Sequence, residues 1–353
     1  MVYDFSLYDY NLPEELIAKE PAKPRDFSRL FIYSVKEDKI LFDKFFNLDK
    51  YLSKDCFLVF NNTKVLPSRI EMIKETGGKI KILFLINEII YSRINKIRGI
   101  VDRKLEVGQK VYFPEKKKFL IAISQEKNIF TFEINFDFQE FLKLLNTYGE
   151  APLPPYLKKT PLTKQEAKKK YQTIFAKKEG SVAAPTASFH FTQRVLNKLK
   201  KKKIKHFFVT LHVGLGTFSP VTEKNIKKKK LHQEYWEINE DVYQQILKLK
   251  KNKKLIAVGT TTTRLLETIA RKKLKFKNKK AIGTTELFIF PPFEFKLVDG
   301  LITNFHLPKS SLMMLVEAFL QFKNSKRHLK ELYEIAIKNK FRFYSFGDAM
   351  LII

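Results

Sequence analysis

Cysteine is almost missing from this chain, with Cys56 alone among 353 residues. One thiol cannot form an intramolecular disulfide or supply a cysteine-based zinc site. Cys56 sits in the apolar run Cys56-Phe57-Leu58-Val59-Phe60 and is expected to be buried and inert. No uninterrupted apolar run is long enough to span a bilayer, and no charged n-region with an apolar h-region precedes a cleavage site. A cytoplasmic protein without a membrane partner is therefore expected. No Walker A sequence and no GxSxG elbow occur. The six histidines, His190, His206, His212, His232, His306 and His328, show no HExxH or Cys-His spacing, so no metal is expected. Gly214 and Gly216 form a GxG that lacks a third glycine and is not followed at once by a helix, a weak dinucleotide fingerprint. Heptads, helical repeats and a solenoid period are also absent.

Acidic residues are scarce. Lys and Arg number 67 against 37 Asp and Glu, a formal net charge of +30. Such an excess suggests a polyanionic partner, because clustered Lys and Arg displace counterions from phosphates. A genome-wide bias toward Lys, Ile, Asn and Phe would give the same excess. The length suggests two domains, and 44% hydrophobic residues suffice for globular folding.

The most informative stretch is 180–220. Ser181, Pro185, Thr186 and His190 lie in a polar, proline-broken segment. Thr192 is a plausible N-cap for a helix with Val195, Leu196 and Leu199 on one face. A strand over 206–213 then runs into Gly214-Leu215-Gly216-Thr217. In it Thr210, His212 and Gly214 alternate with Val209, Leu211 and Val213, so the polar trio shares one face. Glycines at a strand end let a ligand approach the backbone. The stretch reads as a pocket wall.

The rest of the chain supports an α/β reading. A short N-terminal helix is expected, with Pro13 in its first turn and Pro21 stopping it. A strand over 30–35 follows Asp26, Ser28 and Arg29, for which the plain alternative is a turn with a surface ion pair. The buried strand 57–60 enters the polar set 61–70. From about 70 to 136, short apolar segments (79–85, 111–113, 119–123, 130–134) alternate with turn signals, as in a small barrel or sandwich. A helix over 138–145 and an extended proline-rich segment over 148–157 bring the chain back. Helices over 241–250, 312–322 and 329–340 alternate with strands over 255–258, 283–290 and 301–306. At Gly259, four threonines and Arg264 open a helix whose free N–H groups favour an anion or carboxylate, the alternative being an N-cap with spare threonines. The expected fold is an open mixed α/β sheet domain, 1–69 and 148–353, with an inserted small β-barrel domain, 70–147.

Several of these segments carry a resemblance. SVAAPTASFHFT, TLHVGLGTFSPV, NFHLPKS and RFYSFGDAM closely resemble the S-adenosylmethionine:tRNA ribosyltransferase-isomerase family of queuosine biosynthesis. Further matches, including the Asp26–Arg29 motif, cover nearly the whole chain, and the family's barrel agrees with the inserted one. Two departures show. Lys170 stands where the family usually has Arg before Tyr171, which loses a bidentate guanidinium contact. Lys229 and Leu231 replace members of a pattern that usually ends in two histidines around a methionine, of which His232 remains.

The resemblance implies transfer and isomerisation of the ribosyl group of S-adenosylmethionine onto 7-aminomethyl-7-deazaguanine at the tRNA wobble position. Epoxyqueuosine forms, and adenine and methionine leave. S-adenosylmethionine is then a co-substrate, no further cofactor is expected, and tRNA is the partner of a monomer. The sulfonium acidifies the adjacent 5′ hydrogens, so the co-substrate carries much of the difficulty. The protein must supply a base, a proton source for adenine and a dry pocket. His190, His212 and His306 are the candidate catalytic groups, because histidine titrates near neutrality; His212 is expected to be essential, and a structural histidine is the alternative for each. Ser181, Thr186, Gly214, Gly216, Thr217, Thr260, Arg264, Thr303 and Asn304 are candidate substrate-binding residues, with Tyr344 and Asp348 orienting them. Lysine runs at 168–170, 200–203, 227–230 and 250–254 are expected to be mostly solvated, some gripping the anticodon stem. A methyltransferase using the same co-substrate, and a non-catalytic RNA-binding protein, remain the alternatives.

Overall fold

The computed structural model describes residues 4–88, 95–214 and 221–353. Its strands begin with β1 (Arg29–Ser34), β2 (Lys39–Lys44), β3 (Cys56–Asn61) and the short β4 (Thr63–Val65). Next come β5 (Arg69–Lys74), β6 (Lys79–Phe84), β7 (Lys96–Val101), β8 (Lys110–Tyr112), β9 (Phe119–Glu126) and β10 (Ile129–Ile134). The chain ends with β11 (Lys178–Ser181), β12 (Lys205–Leu211), β13 (Lys230–Asn239), β14 (Lys254–Val258), β15 (Lys280–Leu287), β16 (Gly300–Asn304) and β17 (Ala349–Ile352).

Strands β5 to β10 close into an antiparallel barrel in the order β10-β7-β6-β5-β8-β9. The period-two pattern explains it. In β6, Ile80, Ile82 and Phe84 point inward while Lys79 and Lys81 face water. The helix Phe138–Tyr148 adds Phe141, Leu144 and Leu145 to the same core. Gly149 follows at the point of return. A Cβ there would lie 1.8 Å from the Pro67 carbonyl oxygen, so only glycine fits. The Arg69 and Glu150 backbones bond to each other in both directions, which ties the exit of the barrel segment to its entry.

The larger sheet has nine strands in the order β15-β13-β12-β3-β14-β16-β17-β1-β2. Its centre, β12-β3-β14-β16, is parallel, and β13 and β17 flank it antiparallel. Central parallel strands are covered on both faces and read as continuous apolar runs. Helices Thr260–Ile269 and Ser311–Phe322 cover one face through Leu265, Leu266, Met313 and Leu320. The helix Gln193–Lys201 covers the other through Val195 and Leu199, against Leu58 and Phe60. Thr192 caps that helix by accepting from Val195 N. Cys56 is buried in this second core, and burial pushes its thiol up to about 11.

The N-terminal segment differs from the sequence expectation, and two further elements have no counterpart in it. The N-terminal helix is only a three-residue 3-10 turn, Glu14–Leu16, with Pro13 at its cap, because so short a segment cannot offset helix nucleation. The lysine-rich segment is a short helix, Glu223–Lys228, ended by Lys229 in the left-handed region, and then the long strand β13. The last residues, Ala349–Ile352, form a strand inside the sheet between β16 and β1.

Candidate active site

The four parallel central strands all point their carboxyl ends to one edge of the sheet, where open α/β folds bind ligands. Asn61, Val213, Gly259 and Asn304 lie at those ends. Asn61 holds the edge together. Its Nδ2 donates to Leu211 O (2.9 Å) and Thr261 Oγ1 (3.3 Å), and its Oδ1 accepts from Leu211 N and Thr63 N. A pocket open to solvent lies against this edge. Of the residues singled out in the sequence, it gathers Thr186, Thr260, Thr303, Asn304, His306 and Tyr344.

Asn304 is fixed on three sides. Its Nδ2 donates to the Tyr344 carbonyl (3.1 Å), which sets the amide orientation, and its second N–H faces His190 Nε2 at 3.3 Å. Its Oδ1 accepts from Thr186 Oγ1 at 3.2 Å. His190 Nε2 is then the acceptor, so Nδ1–H donates to Ser28 Oγ at 2.8 Å. Burial, with Arg342 and Arg25 nearby, lowers the His190 pKa to about 3. His190 is thus a neutral ring behind Asn304, outside the pocket lining.

His306 does line the pocket. The Tyr333 hydroxyl accepts from His306 N (3.0 Å) and faces Nδ1 at 3.2 Å, while Nε2 faces Thr303 Oγ1 at 3.1 Å. The neutral ring donates from one nitrogen and accepts at the other, so it links the Tyr333 and Thr303 hydroxyls. Burial lowers the His306 pKa to about 3. The chain Tyr333–His306–Thr303 therefore holds the Thr303 side chain at the pocket wall.

Tyr156 and Tyr344 form an aromatic wall, their ring centroids 4.7 Å apart at 49°. Tyr156 OH bonds to Ser345 Oγ at 2.7 Å. Burial pushes the Tyr344 hydroxyl up to about 12. Tyr344 has φ +69°, a strained conformation for a bulky residue. Asp348 holds that turn. Its carboxylate accepts from Arg342 N (2.8 Å) and Arg29 N (2.9 Å), and it pairs with the Arg342 guanidinium. Asp348 is buried away from the pocket and acts on Tyr344 through the backbone.

The remaining candidates form two clusters beside the pocket. His212 Nδ1 lies 2.8 Å from Thr63 Oγ1, which lies 2.7 Å from Ser181 Oγ; Ser181 Oγ accepts from Val213 N. Burial lowers the His212 pKa to about 4, Glu237 opposing and Lys178 assisting. Arg264 faces inward, with Nη1 2.5 Å from Glu234 Oε2 and Nε donating to Leu287 O. Glu234 Oε1 accepts from Gly214 N at 2.9 Å, so this buried pair anchors Gly214, three residues beyond β12. Among the described residues, Arg264 Nη2 is buried without a hydrogen-bond partner. Gly216 and Thr217 lie outside the described residues. Among the described residues, no group of three or more His, Cys, Asp and Glu side chains could hold a metal.

Tyr156, Thr261, Ser345 and the alanines 183 and 184 also line the pocket and were not singled out. Tyr156 was hidden in a segment that reads as a linker, and Thr261 in a run of threonines. The 25–29 motif is an internal brace. Asp26 is 1% exposed and binds Arg194 in a fork (2.9 and 2.7 Å) and Thr192 Oγ1 (2.6 Å). Arg25 donates to Lys170 O and Gln172 O, and Arg29 donates to Asn339 O.

A mixed α/β sheet with an inserted closed barrel, and a pocket of hydroxyls, an amide and paired tyrosines at the carboxyl edge, defines an α/β protein built to hold a polar organic ligand. Residues 5–352 match the family described as Queuosine biosynthesis protein. The chain belongs to that family. It is 44% identical over 348 residues to the S-adenosylmethionine:tRNA ribosyltransferase-isomerase of Thermosipho melanesiensis, covering 98% of each chain. It is 45% identical over 353 residues to the protein of the same name from Halothermothrix orenii, again covering 98% of each. Among solved structures, it is similar to S-adenosylmethionine tRNA ribosyltransferase from Thermotoga maritima, with TM-score 0.53 and 31% identity, covering 98% of this chain and 100% of that one.

Proposed function

We infer that this chain transfers and isomerises the ribosyl group of S-adenosylmethionine onto 7-aminomethyl-7-deazaguanine at the wobble position of tRNA. Epoxyqueuosine-tRNA forms, and adenine and methionine leave. The observation that carries this reading is the end-to-end match, at 44% and 45% identity, to relatives bearing the name of that enzyme.

The pocket chemistry supports it. S-adenosylmethionine, a co-substrate here, brings a sulfonium that acidifies its 5′ hydrogens. The protein's share is to bind, orient and exclude water. Asn304, Thr186, Thr260 and Thr303 offer fixed polar groups, and Tyr156 with Tyr344 offers a face on which a nucleobase stacks. The Thr303 hydroxyl, held by His306, is our candidate hydrogen-bonding partner for a polar group of the ligand. His190, neutral and doubly bonded, positions Asn304. A monomer acting in the cytoplasm fits this reading; no described helix is long and apolar enough to cross a membrane.

The direct test mixes purified protein with S-adenosylmethionine and tRNA carrying the aminomethyl-deazaguanine. Mass spectrometry follows adenine, methionine and the modified nucleoside. Release of both small products, with the epoxycyclopentane-diol mass gain on the RNA, is the expected result. S-adenosylhomocysteine in their place would mean methyl transfer. RNA binding independent of S-adenosylmethionine, without turnover, would mean a binding module.

A further inference from the structure

Strand β13 runs antiparallel to β12, so its first residues lie at the same sheet edge as the pocket. Val213 lines the pocket, and Gly214 N bonds to Glu234 on β13. Two residues before Glu234, His232 lines a second, more open groove. One wall of that groove is the helix Glu223–Lys228, with Lys224 and Lys228, followed by Lys230. The other includes Lys127, at the tip of the β9–β10 hairpin of the barrel. Glu286 is the one carboxylate among the described lining residues, and it pairs with Lys230 at 2.7 Å. Lys127, Lys224 and Lys228 are exposed and form no ion pair among the described residues.

These ammonium groups sit on a fixed frame. The helix is held by a reciprocal cap between Thr222 and Asn225, and Asn225 Nδ2 donates to Lys230 O at 2.9 Å. The Lys127 carbonyl accepts from Gln125 Nε2 at 2.7 Å. The geometry points to a binding site for the phosphate backbone of an RNA, formed jointly by the barrel hairpin and the helix Glu223–Lys228, beside the pocket. This rests on tRNA being the substrate. Lysines without an acidic partner that line one open groove repel each other until a polyanion lies among them. A second lysine groove, lined by Lys200, Lys203 and Lys205, is the internal control. It adjoins the start of β12 and therefore lies at the opposite edge of the sheet.

The test compares full-length protein with a triple variant, Lys127→Ala, Lys224→Ala and Lys228→Ala. A control triple carries Lys200→Ala, Lys203→Ala and Lys205→Ala. Affinity for tRNA is measured from about 50 to 200 mM salt, a range in which phosphate contacts dominate the change. Removing three phosphate contacts should weaken binding about 10–100-fold and reduce the slope of log K against log salt by about 2–3. The control triple should bind like the parent, and all three proteins should share one thermal midpoint. Unchanged affinity and slope in the first triple, with parental binding intact, overturns the groove alone. Equal losses in both triples overturn it as well, since they show only bulk charge. A parent that binds no tRNA overturns the groove and the functional reading together.

Discussion

Asn304 Nδ2 lies 3.3 Å from His190 Nε2, and that contact, with the Tyr344 carbonyl, leaves the amide no second orientation. His190→Ala removes the acceptor while leaving the pocket lining in place. A small displacement of a positioning group costs on the order of 10²-fold in rate, and a loss of about 10–100-fold in kcat/KM is expected. His190→Gln offers a carbonyl to the same amide and should recover part of it. Equal turnover by His190→Ala and the parent, in steady-state kinetics, would remove His190 from any positioning role.

The buried histidines predict how stability depends on pH. His190, His212 and His306 have pKa values lowered by burial from 6.5 to about 3, 4 and 3. Below pH 6.5 the unfolded chain binds protons that the folded chain refuses. Stability from this source is complete above pH 6.5 and declines as pH falls toward the folded values. Between pH 7 and pH 5 each histidine should remove about 1–2 kcal/mol. Urea unfolding at both pH values measures the loss. A His306→Gln protein should show a smaller difference between them, and an identical difference would refute the assignment of His306 as neutral.

Much of the architecture was legible in the sequence because its determinants are local. The barrel follows from short alternating segments and turn residues, and the central strands from apolar runs ending in Asn61, Gly259 and Asn304. Strand β13 was obscured because its first residues face water and carry Lys230, His232 and Gln233, leaving Trp236 and Ile238 as the inward signal. The site was legible only in part. Histidines stood out by residue type, yet of the three candidates only His306 lines the pocket; His190 and His212 are enclosed behind it. Residue type cannot say which way a side chain faces where strands end and the period-two pattern stops. Arg264 is the clearest case, since it lies on a helix and its partner Glu234 is 30 residues away on β13.

The turn that carries Tyr344 should be intolerant of change at Gly347. A Cβ there would come within 2.4 Å of Arg342 O and 2.6 Å of Phe343 C, both backbone atoms that cannot yield cheaply. Gly347→Ala must therefore open the turn that Asp348 closes. Strain at such a site typically costs about 1–3 kcal/mol. Thermal unfolding should show that loss, and S-adenosylmethionine binding by calorimetry should weaken as Tyr344 moves. A variant with parental stability and binding would mean that the turn does not constrain the pocket.

The buried Glu234–Arg264 pair separates anchoring from chemistry. Both side chains are almost fully enclosed, at 3% and 6% exposure. Glu234→Gln keeps an acceptor for Gly214 N but leaves the guanidinium without its countercharge. Removing one partner of a buried pair typically costs about 3–5 kcal/mol, because the other charge stays desolvated. Replacing both partners by apolar residues of similar volume is often neutral. Glu234→Gln should thus lower the urea midpoint, and the double variant Glu234→Gln, Arg264→Met should regain stability relative to it. If Gly214 is anchored by this pair for catalysis, the double variant should stay impaired in turnover despite its restored stability. A double variant no more stable than Glu234→Gln would show that the uncompensated Arg264 charge is not the source of the loss.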